Sequence, residues 1–243
     1  MGDSTNSDTT GTQQSDMAAG IRKWAIKNVV FLLLLPILLY ASSGRADWVM
    51  GWVLVGICAG YLLATAVLIL PKWPDLIAER AGMQKGAKKW DLAIVSAAAV
   101  WLPMASWVVA GLDLRFGWPP AIPWWCQWVA AGAVATALAA AFWAMASNRF
   151  FSGVVRIQRD RGHVVQTGGP YRYVRHPAYA GVILYTMAIP VMLGSAWAMI
   201  PAGVASVLFV VRTALEDRTL HRELDGYADY AARVRYRLLP GVW

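Results

Sequence analysis

The sequence predicts an all-α integral membrane protein with about six transmembrane helices, and three observations predict it. Of the 243 residues, 58% are hydrophobic and only 15% charged, whereas a soluble domain has about one quarter charged. The charges are gathered into blocks with long apolar runs between them. Finally, 20 of the 22 Lys and Arg residues fall on one set of alternate connections.

A spanning helix needs about 20 largely apolar residues. Six stretches approach or reach that length: 24–42, 48–70, 92–110, 124–146, 178–193 and 196–211. The last two are short and carry Pro190 and Pro201, which suits a tight or tilted hairpin. Proline is tolerated in a span where neighbouring helices re-satisfy the freed carbonyls. Gly56 and Gly60 in span two have the GxxxG spacing that lets a second helix approach closely. Span four is rich in small residues from Ala130 to Ala141, so it is expected inside the bundle. Trp24, Trp48, Trp73, Trp90, Trp124 and Trp125 lie at span ends and read as interfacial anchors.

Lys and Arg set the orientation. They accumulate in the N-terminal flank (Arg22, Lys23, Lys27), the second connection (Lys72, Arg80, Lys85, Lys88, Lys89), the fourth (Arg149 to Arg175) and the tail (Arg212 to Arg237). Arg45 and Arg115 alone occupy the other loops. The positive-inside rule then puts both termini and the second and fourth loops in the cytoplasm, at the plasma or inner membrane in a prokaryote. A net charge of +8 suits such a protein facing an anionic leaflet, so no nucleic-acid partner is expected.

Cys58 and Cys126 lie in or at the edge of spans without a CxxC or Cys/His partner. Neither a disulfide nor a metal site is expected, and both read as small packing residues. Residues 1–17 are rich in Ser, Thr and Gln and read as a disordered tail. Met1-Gly2 would suit myristoylation, but Asn6 stands where Ser or Thr is wanted. No cleavable signal pattern and no prenylation box is expected. The organisation is thus a tail over 1–17, a four-span membrane region over 18–146, and a C-terminal region over 147–243.

The connection 71–90 mixes Leu76, Ile77 and Met83 with basic residues, so it reads as a short helix in the headgroup plane with at most a positioning role. Segment 147–177 is different. A polar connection of this length, with six arginines, is uncommon unless functional or disordered. It is neither repetitive nor poor in aromatics, which favours function. The tail 212–243 alternates charge sign, as suits a helix continuing from span six beyond the membrane.

Chemistry concentrates where the long connection meets span five, in Gly169-Pro-Tyr-Arg-Tyr-Val-Arg-His-Pro-Ala-Tyr-Ala-Gly181. Pro177 suits a first helical turn, with His176 near the cap and Arg175 just outside. Unpaired N–H groups and a partial positive charge make such a terminus a carboxylate or phosphate site. The plain alternative is a capped helix with an arginine snorkelling to headgroups. Arg212 and Glu216 are four apart and share a helix face. They read either as an intrahelical ion pair or as groups facing a cavity. Tyr227 and Tyr230 follow at helical spacing and read as packing residues.

These motifs resemble the isoprenylcysteine carboxyl methyltransferase family and its bacterial and archaeal relatives, which are membrane-embedded S-adenosylmethionine-dependent methyltransferases. The family's Arg-His-Pro-x-Tyr motif reads here as Arg175-His176-Pro177-Ala178-Tyr179. Its Glu-Glu-x-x-Leu, after a helical hairpin, reads as Glu216-Asp217-Arg218-Thr219-Leu220, with Asp217 in place of the second Glu. The spacing from His163 to Tyr171 to His176 is the family's own, while the gap from Gln158 to His163 is shorter. The likeness covers about 147 to the end; the first four spans match in general character only. It implies a cytoplasmic cofactor-binding loop lined by Gln158, His163, Val164, Val165, Gln166, Tyr171, His176, Pro177, Ala178 and Tyr179. Glu216 would bind S-adenosylmethionine from span six, Arg212 would face the substrate, and Arg175 would sit at the reacting end. The implied activity is methyl transfer to a lipophilic or lipid-modified substrate in the membrane, with a carboxylate favoured over a phospholipid amine or small thiol.

The residues suit those roles. Aromatic faces at Tyr171 and Tyr179 can hold a sulfonium, and Glu216 can accept hydrogen bonds from ribose hydroxyls or an amino group. A carboxylate acceptor is ionised at neutral pH, needs no general base, and can be clamped by an arginine. No Gly-rich loop after a strand is present, so no Rossmann domain is expected. A second reading is a sterol-reductase-type enzyme, whose nicotinamide cofactor could meet Arg156, Arg159 and Arg161, although the spans here are too few for that larger family. A third, non-catalytic reading would be marked by loss of Arg175, His176 or Glu216, and all three are present.

Overall fold

A computed structural model describes residues 4–81 and 86–243, with side chains from residue 15 onward. Met1, Gly2, Met83 and Lys85, and the side chain of Asn6, lie outside the described residues. The described chain is helical: α1 (Ser4–Ser43), α2 (Val49–Ala64), α3 (Pro74–Glu79), α4 (Lys89–Ser96), α5 (Leu102–Phe116), α6 (Trp124–Ala146), α7 (Pro177–Met192), α8 (Met199–Glu223) and α9 (Tyr227–Arg233). A π turn at Thr65–Ile69 extends α2, and another at Ala97–Trp101 joins α4 to α5.

Five of the resulting helices are long and apolar enough to cross a bilayer: Ser15–Ser43, Val49–Ile69, Lys89–Phe116, Trp124–Ala146 and Met199–Glu223. The sixth expected span, α7, has 16 residues. At 1.5 Å per residue it measures about 24 Å, short of a hydrocarbon core of about 30 Å. It is accommodated by its neighbours. Gly181 lies against α6 so closely that a Cβ there would stand 2.7 Å from the Ala137 carbonyl oxygen. Ala130, Ala131, Val134, Ala137, Ala141 and Ala144 form the buried stripe of α6. From Ala131 onward their spacing of three and four puts them on one face, and the alanines among them let two backbones approach.

The hairpin from α7 to α8 is fastened at its turn. Ser195 Oγ donates to buried Asp113 at 2.5 Å, and Ser106 Oγ donates to the Ala198 carbonyl at 3.0 Å. At the opposite end Lys88 Nζ meets Glu223 at 2.6 Å. The start of α4, the end of α8 and the connection from α6 to α7 therefore share one face of the bundle.

Several details differ from the sequence reading. Helix α1 begins at Ser4, so it takes in residues 4–17 that composition assigns to a disordered tail. Once the apolar part has nucleated a helix, each added residue costs little. Gly56 and Gly60 meet nothing within 4 Å. The close approaches use Gly111 against Ser42 and Gly181 against Ala137 instead. Trp48 is buried in the main core with Leu54, Trp107 and Met192, while Trp124 and Trp125 stay exposed like anchors. Helix α3 does not lie on the headgroups by its apolar face: Leu76 and Ile77 are fully buried against Ile69 and Met145.

Candidate functional site

The connection 147–176 has only two short 3₁₀ turns, Arg159–Arg161 and Gly169–Arg172. What shapes it is a set of carboxylates reaching over from α3 and α4. Asp75 accepts from Arg161 at 2.6 Å and Arg149 at 3.3 Å. Glu79 takes the Arg156 guanidinium through both oxygens at 2.8 and 2.9 Å. Asp91, fully buried, accepts from the Val155 N–H at 2.7 Å. Burial pushes the Asp75 carboxyl up, but the two arginines outweigh it and hold it below its usual range. The Glu79 hydrogen bond chiefly raises Arg156. Helix α3, which the sequence suggests is at most a positioner, is thus the clamp that sets the loop.

Within that frame Gln158 is fully buried, and its amide is spent on the protein: Nε2 donates to the Phe150 carbonyl at 2.7 Å and Oε1 accepts from Arg161. His163 accepts from the Gln158 N–H at 3.3 Å and tilts onto Phe150. Burial, with Arg156 and Arg161 nearby, pushes its pKa down to about 4, so it is neutral at pH 7. Val164 is 61% exposed. Val165 packs against the Leu224, Tyr227, Tyr230 and Ala231 cluster, and Gln166 is half-buried. Tyr171 is buried, its hydroxyl accepting from Asn148 at 3.2 Å.

The Arg175–Tyr179 motif is built around Asp217. Arg175 meets both oxygens of that carboxylate, at 2.9 and 3.1 Å, and donates Nη1 to the Val234 and Arg235 carbonyls. His176 Nε2 lies 3.2 Å from Asp217, the Tyr227 hydroxyl donates to it at 2.8 Å, and Arg237 adds a contact at 2.8 Å. The Arg175 and His176 N–H groups donate to the Tyr236 and Arg237 carbonyls. The C-terminal strap, residues 234–243, therefore runs across the motif and is tied to it by backbone and side chains together. Tyr230 donates to the Tyr171 carbonyl at 2.7 Å. Both tail tyrosines, expected only to pack, also hold the motif by hydrogen bonds.

Adjacent residues on α8 point about 100° apart, and Glu216 faces elsewhere. It accepts from the Tyr179 hydroxyl at 2.6 Å. Arg212, four residues earlier, does not pair with it. Its guanidinium takes both oxygens of Asp91 at 2.6 and 3.1 Å, donates to the Gly153 carbonyl at 2.9 Å, and lies 5.2 Å from the Tyr179 ring centroid. Its Nη1 makes no hydrogen bond among the described residues. Pro177, buried, opens α7, and the half-buried Ala178 follows.

Of the expected residues, Tyr179, Glu216, Arg212, His176, Pro177, Ala178 and Tyr171 thus gather around the α7 N-terminus. Gln158 is a loop brace, and Arg175 is held within the Asp217 cluster. Arg156 and Arg161 are spent on Glu79 and Asp75 and have little left for a cofactor phosphate. The sequence reading missed Asp75, Glu79, Asp91 and Asn148. An acidic residue at the edge of an apolar span, as at Asp91, was the available signal.

Residues 129–222 match the isoprenylcysteine carboxyl methyltransferase (ICMT) family. Over that stretch the chain is similar to this family. It is 38% identical over 49 residues to protein-S-isoprenylcysteine O-methyltransferase of Schizosaccharomyces pombe, covering 20% of this chain and 21% of that protein. It is 31% identical over 90 residues to protein-S-isoprenylcysteine O-methyltransferase B of Arabidopsis thaliana, covering 36% and 46%. The matched stretches thus span less than half the length of either relative. The eukaryotic intramembrane Ras methyltransferase ICMT shares the fold, with a TM-score of 0.50 at 13% identity over 93% of this chain and 98% of that one. The chain is accordingly a multi-pass integral membrane protein. The motif residues from His163 to Asp217 lie inside the matched stretch, whereas Asp75, Glu79, Asp91 and Arg237 lie outside it.

Proposed function

We propose that the chain is an S-adenosylmethionine-dependent methyltransferase acting on a lipophilic substrate in the membrane, with a carboxylate as the favoured acceptor. The observation that carries this is the meeting of Tyr179, Glu216 and Arg212. One ring carries a carboxylate at its hydroxyl and a guanidinium with free donors against its face. An acidic acceptor, an aromatic face and a fixed cation in one place suit a cationic donor beside an anionic acceptor.

The residues present fit S-adenosylmethionine. Glu216 keeps an oxygen for a hydroxyl or amino group. Tyr171 and Tyr179 offer aromatic faces, and the Ala178 N–H, in the first turn of α7, has no acceptor among the described residues. Val164, Val165 and Gln166 form the outer wall, with His163 and Gln158 bracing it. His176 contributes its ring as a wall held by Asp217 and Tyr227. Arg175 acts through Asp217 as a positioning residue. When bound, the cofactor supplies an electrophilic methyl group to an acceptor oxygen placed in line. Positioning therefore accounts for much of the rate, and Arg212 orients the acceptor while the bundle keeps water away.

Glu216→Gln should weaken S-adenosylmethionine binding about tenfold or more, as expected for loss of a charged acceptor, with the thermal unfolding midpoint in detergent unchanged. Titration calorimetry checks it. Unchanged affinity would remove Glu216 from the cofactor site. Methyl-transfer assays with lipophilic acids, amines and thiols then rank the acceptors.

In this reading both termini and the site face the cytoplasm, for the reason of charge given above. A thiol-reactive probe should label cysteines placed at Arg235 and at Phe116 from opposite sides of a sealed vesicle. Labelling of both from the same side would overturn the assignment.

A further inference from the structure

The arginines on the site's face form a nearly closed account. Arg156 has Glu79, Arg161 and Arg149 share Asp75, Arg212 has Asp91, and Arg175 and Arg237 share Asp217. Arg80 is the exception. It follows α3, is largely shielded, and makes no hydrogen bond or ion pair among the described residues. Its guanidinium lies 4.8 Å from the Phe151 ring centroid. Phe151 in turn packs with the Leu76, Ile77 and Met145 cluster, so the stack is held from beneath. Burial pushes the Arg80 pKa down, Tyr61 and Tyr171 oppose this, and Arg212 pushes it further down. Arg80 stacks on Phe151, and Arg212 donates at 2.9 Å to the carbonyl of Gly153 two residues farther along, so the two guanidiniums flank one short stretch of the connection. A shielded guanidinium with all donors unused is costly, and an anion placed between it and the free Nη1 of Arg212 would offset that cost.

We propose that Arg80, stacked on Phe151, is the second arm of an anion clamp whose other arm is Arg212 Nη1, and that it selects the substrate's free carboxylate. The assignment deepens the methyltransferase reading and rests on it. Arg80 precedes residue 129, outside the family match, so the clamp joins the otherwise dissimilar membrane half to the motif half. A planar fork stacked on an aromatic ring is pre-organised for a carboxylate in a way an ammonium is not. The site would discriminate by charge: an acid is held by two guanidiniums, while its neutral amide or its methyl ester leaves Arg80 without an anion. The product ester would accordingly be released more readily than the acid.

The test compares binding of N-acetyl-S-farnesylcysteine with that of its carboxamide, to purified protein in phosphatidylcholine nanodiscs. Wild type should bind the acid at least tenfold more tightly. Arg80→Gln and Arg80→Met should bring the two within about threefold, with S-adenosylmethionine affinity kept. Equal binding of acid and amide by wild type overturns the proposal without any variant. So does an acid preference that survives both substitutions. S-adenosylmethionine affinity is read on the same samples, so failure of the methyltransferase reading shows separately, as absent cofactor binding with the acid preference intact. A headgroup phosphate is the other anion that could reach Arg80. A wild-type acid preference that vanishes in phosphatidylglycerol nanodiscs would give Arg80 to the lipid and overturn the substrate assignment; one that persists supports it.

Discussion

Asp217→Asn should be the most destabilising single change in the half of the molecule that carries the site, while Glu216→Gln next to it leaves stability alone. Asp217 is 1% exposed and serves Arg175, His176, Tyr227 and Arg237 at once. Asparagine keeps the shape but brings its own donors and no charge. Two arginines would be left facing a neutral amide, and one arginine is among the most shielded on the site face. Breaking a buried ion pair by removing one partner costs about 3–5 kcal/mol. The loss should appear first as faster proteolysis of the strap after α9, because Arg175 and Arg237 are what tie it to α7 and α8. Cofactor affinity should fall with it, since His176 and Pro177 lose their support. Thermal unfolding in detergent and a proteolysis time course measure both. An Asp217→Asn protein as stable as wild type would show that solvent, not the carboxylate, satisfies these arginines. Asp217→Glu matches the family's second Glu and keeps the charge, so it should recover part of the loss.

How much of this was legible in the sequence depends on the range of each interaction. Spans two to four and six follow from local hydropathy; the ends of two and four are off by one residue at most, whereas the helices of three and six run on past the expected ends to Phe116 and Glu223. Helix α7 was expected to be short, and its tight seat on α6 is signalled by the small residues from Ala130 to Ala141. The motif from Arg175 to Tyr179 was legible because those residues are contiguous. What local pattern could not give is which carboxylate meets which arginine. Asp91 and Arg212 are 121 residues apart, and Glu79 and Arg156 are 77 apart. Charge counting predicts that buried arginines need partners but does not pair them. The helix wheel did contain one further clue: Glu216 and Asp217 are neighbours and so must face different partners. Noting Asp217 only as standing in place of the family's second Glu missed that consequence.

Arg212→Lys should lower kcat/KM toward a lipophilic acid about a hundredfold, with S-adenosylmethionine affinity changed by less than about threefold. Loss of one preorganised donor at a reacting anion costs that order of rate. Arg212 has two jobs, and the variant must separate them. Through Nε and Nη2 it pins α8 to Asp91 and to the Gly153 carbonyl. Through Nη1, on the proposed reading, it holds the acceptor. A lysine ammonium can still pair with Asp91, so the anchor survives in part. It cannot pair with Asp91 and also present a second donor pair in the plane of the Tyr179 contact. Asp91→Asn gives the complementary control: it weakens the anchor, lowers the unfolding midpoint, and leaves the guanidinium in place. If the anchor alone mattered, Asp91→Asn would cost as much turnover as Arg212→Lys. The expected order is a large turnover loss in Arg212→Lys with a small stability change, and the reverse in Asp91→Asn. The division between constants should also differ from that of Arg80. An interaction made mainly in the transition state lowers kcat, whereas one made equally in the ground state raises KM. Arg212 lies against the Tyr179 ring, beside the proposed donor, and should act on kcat. Arg80, stacked on Phe151, holds the acid in the ground state on the proposed reading and should act on KM. Steady-state kinetics of the two variants with one acid acceptor, measured on the same nanodisc preparation, decide the matter. Near-normal kcat in Arg212→Lys would reduce Arg212 to the pin between α8 and α4.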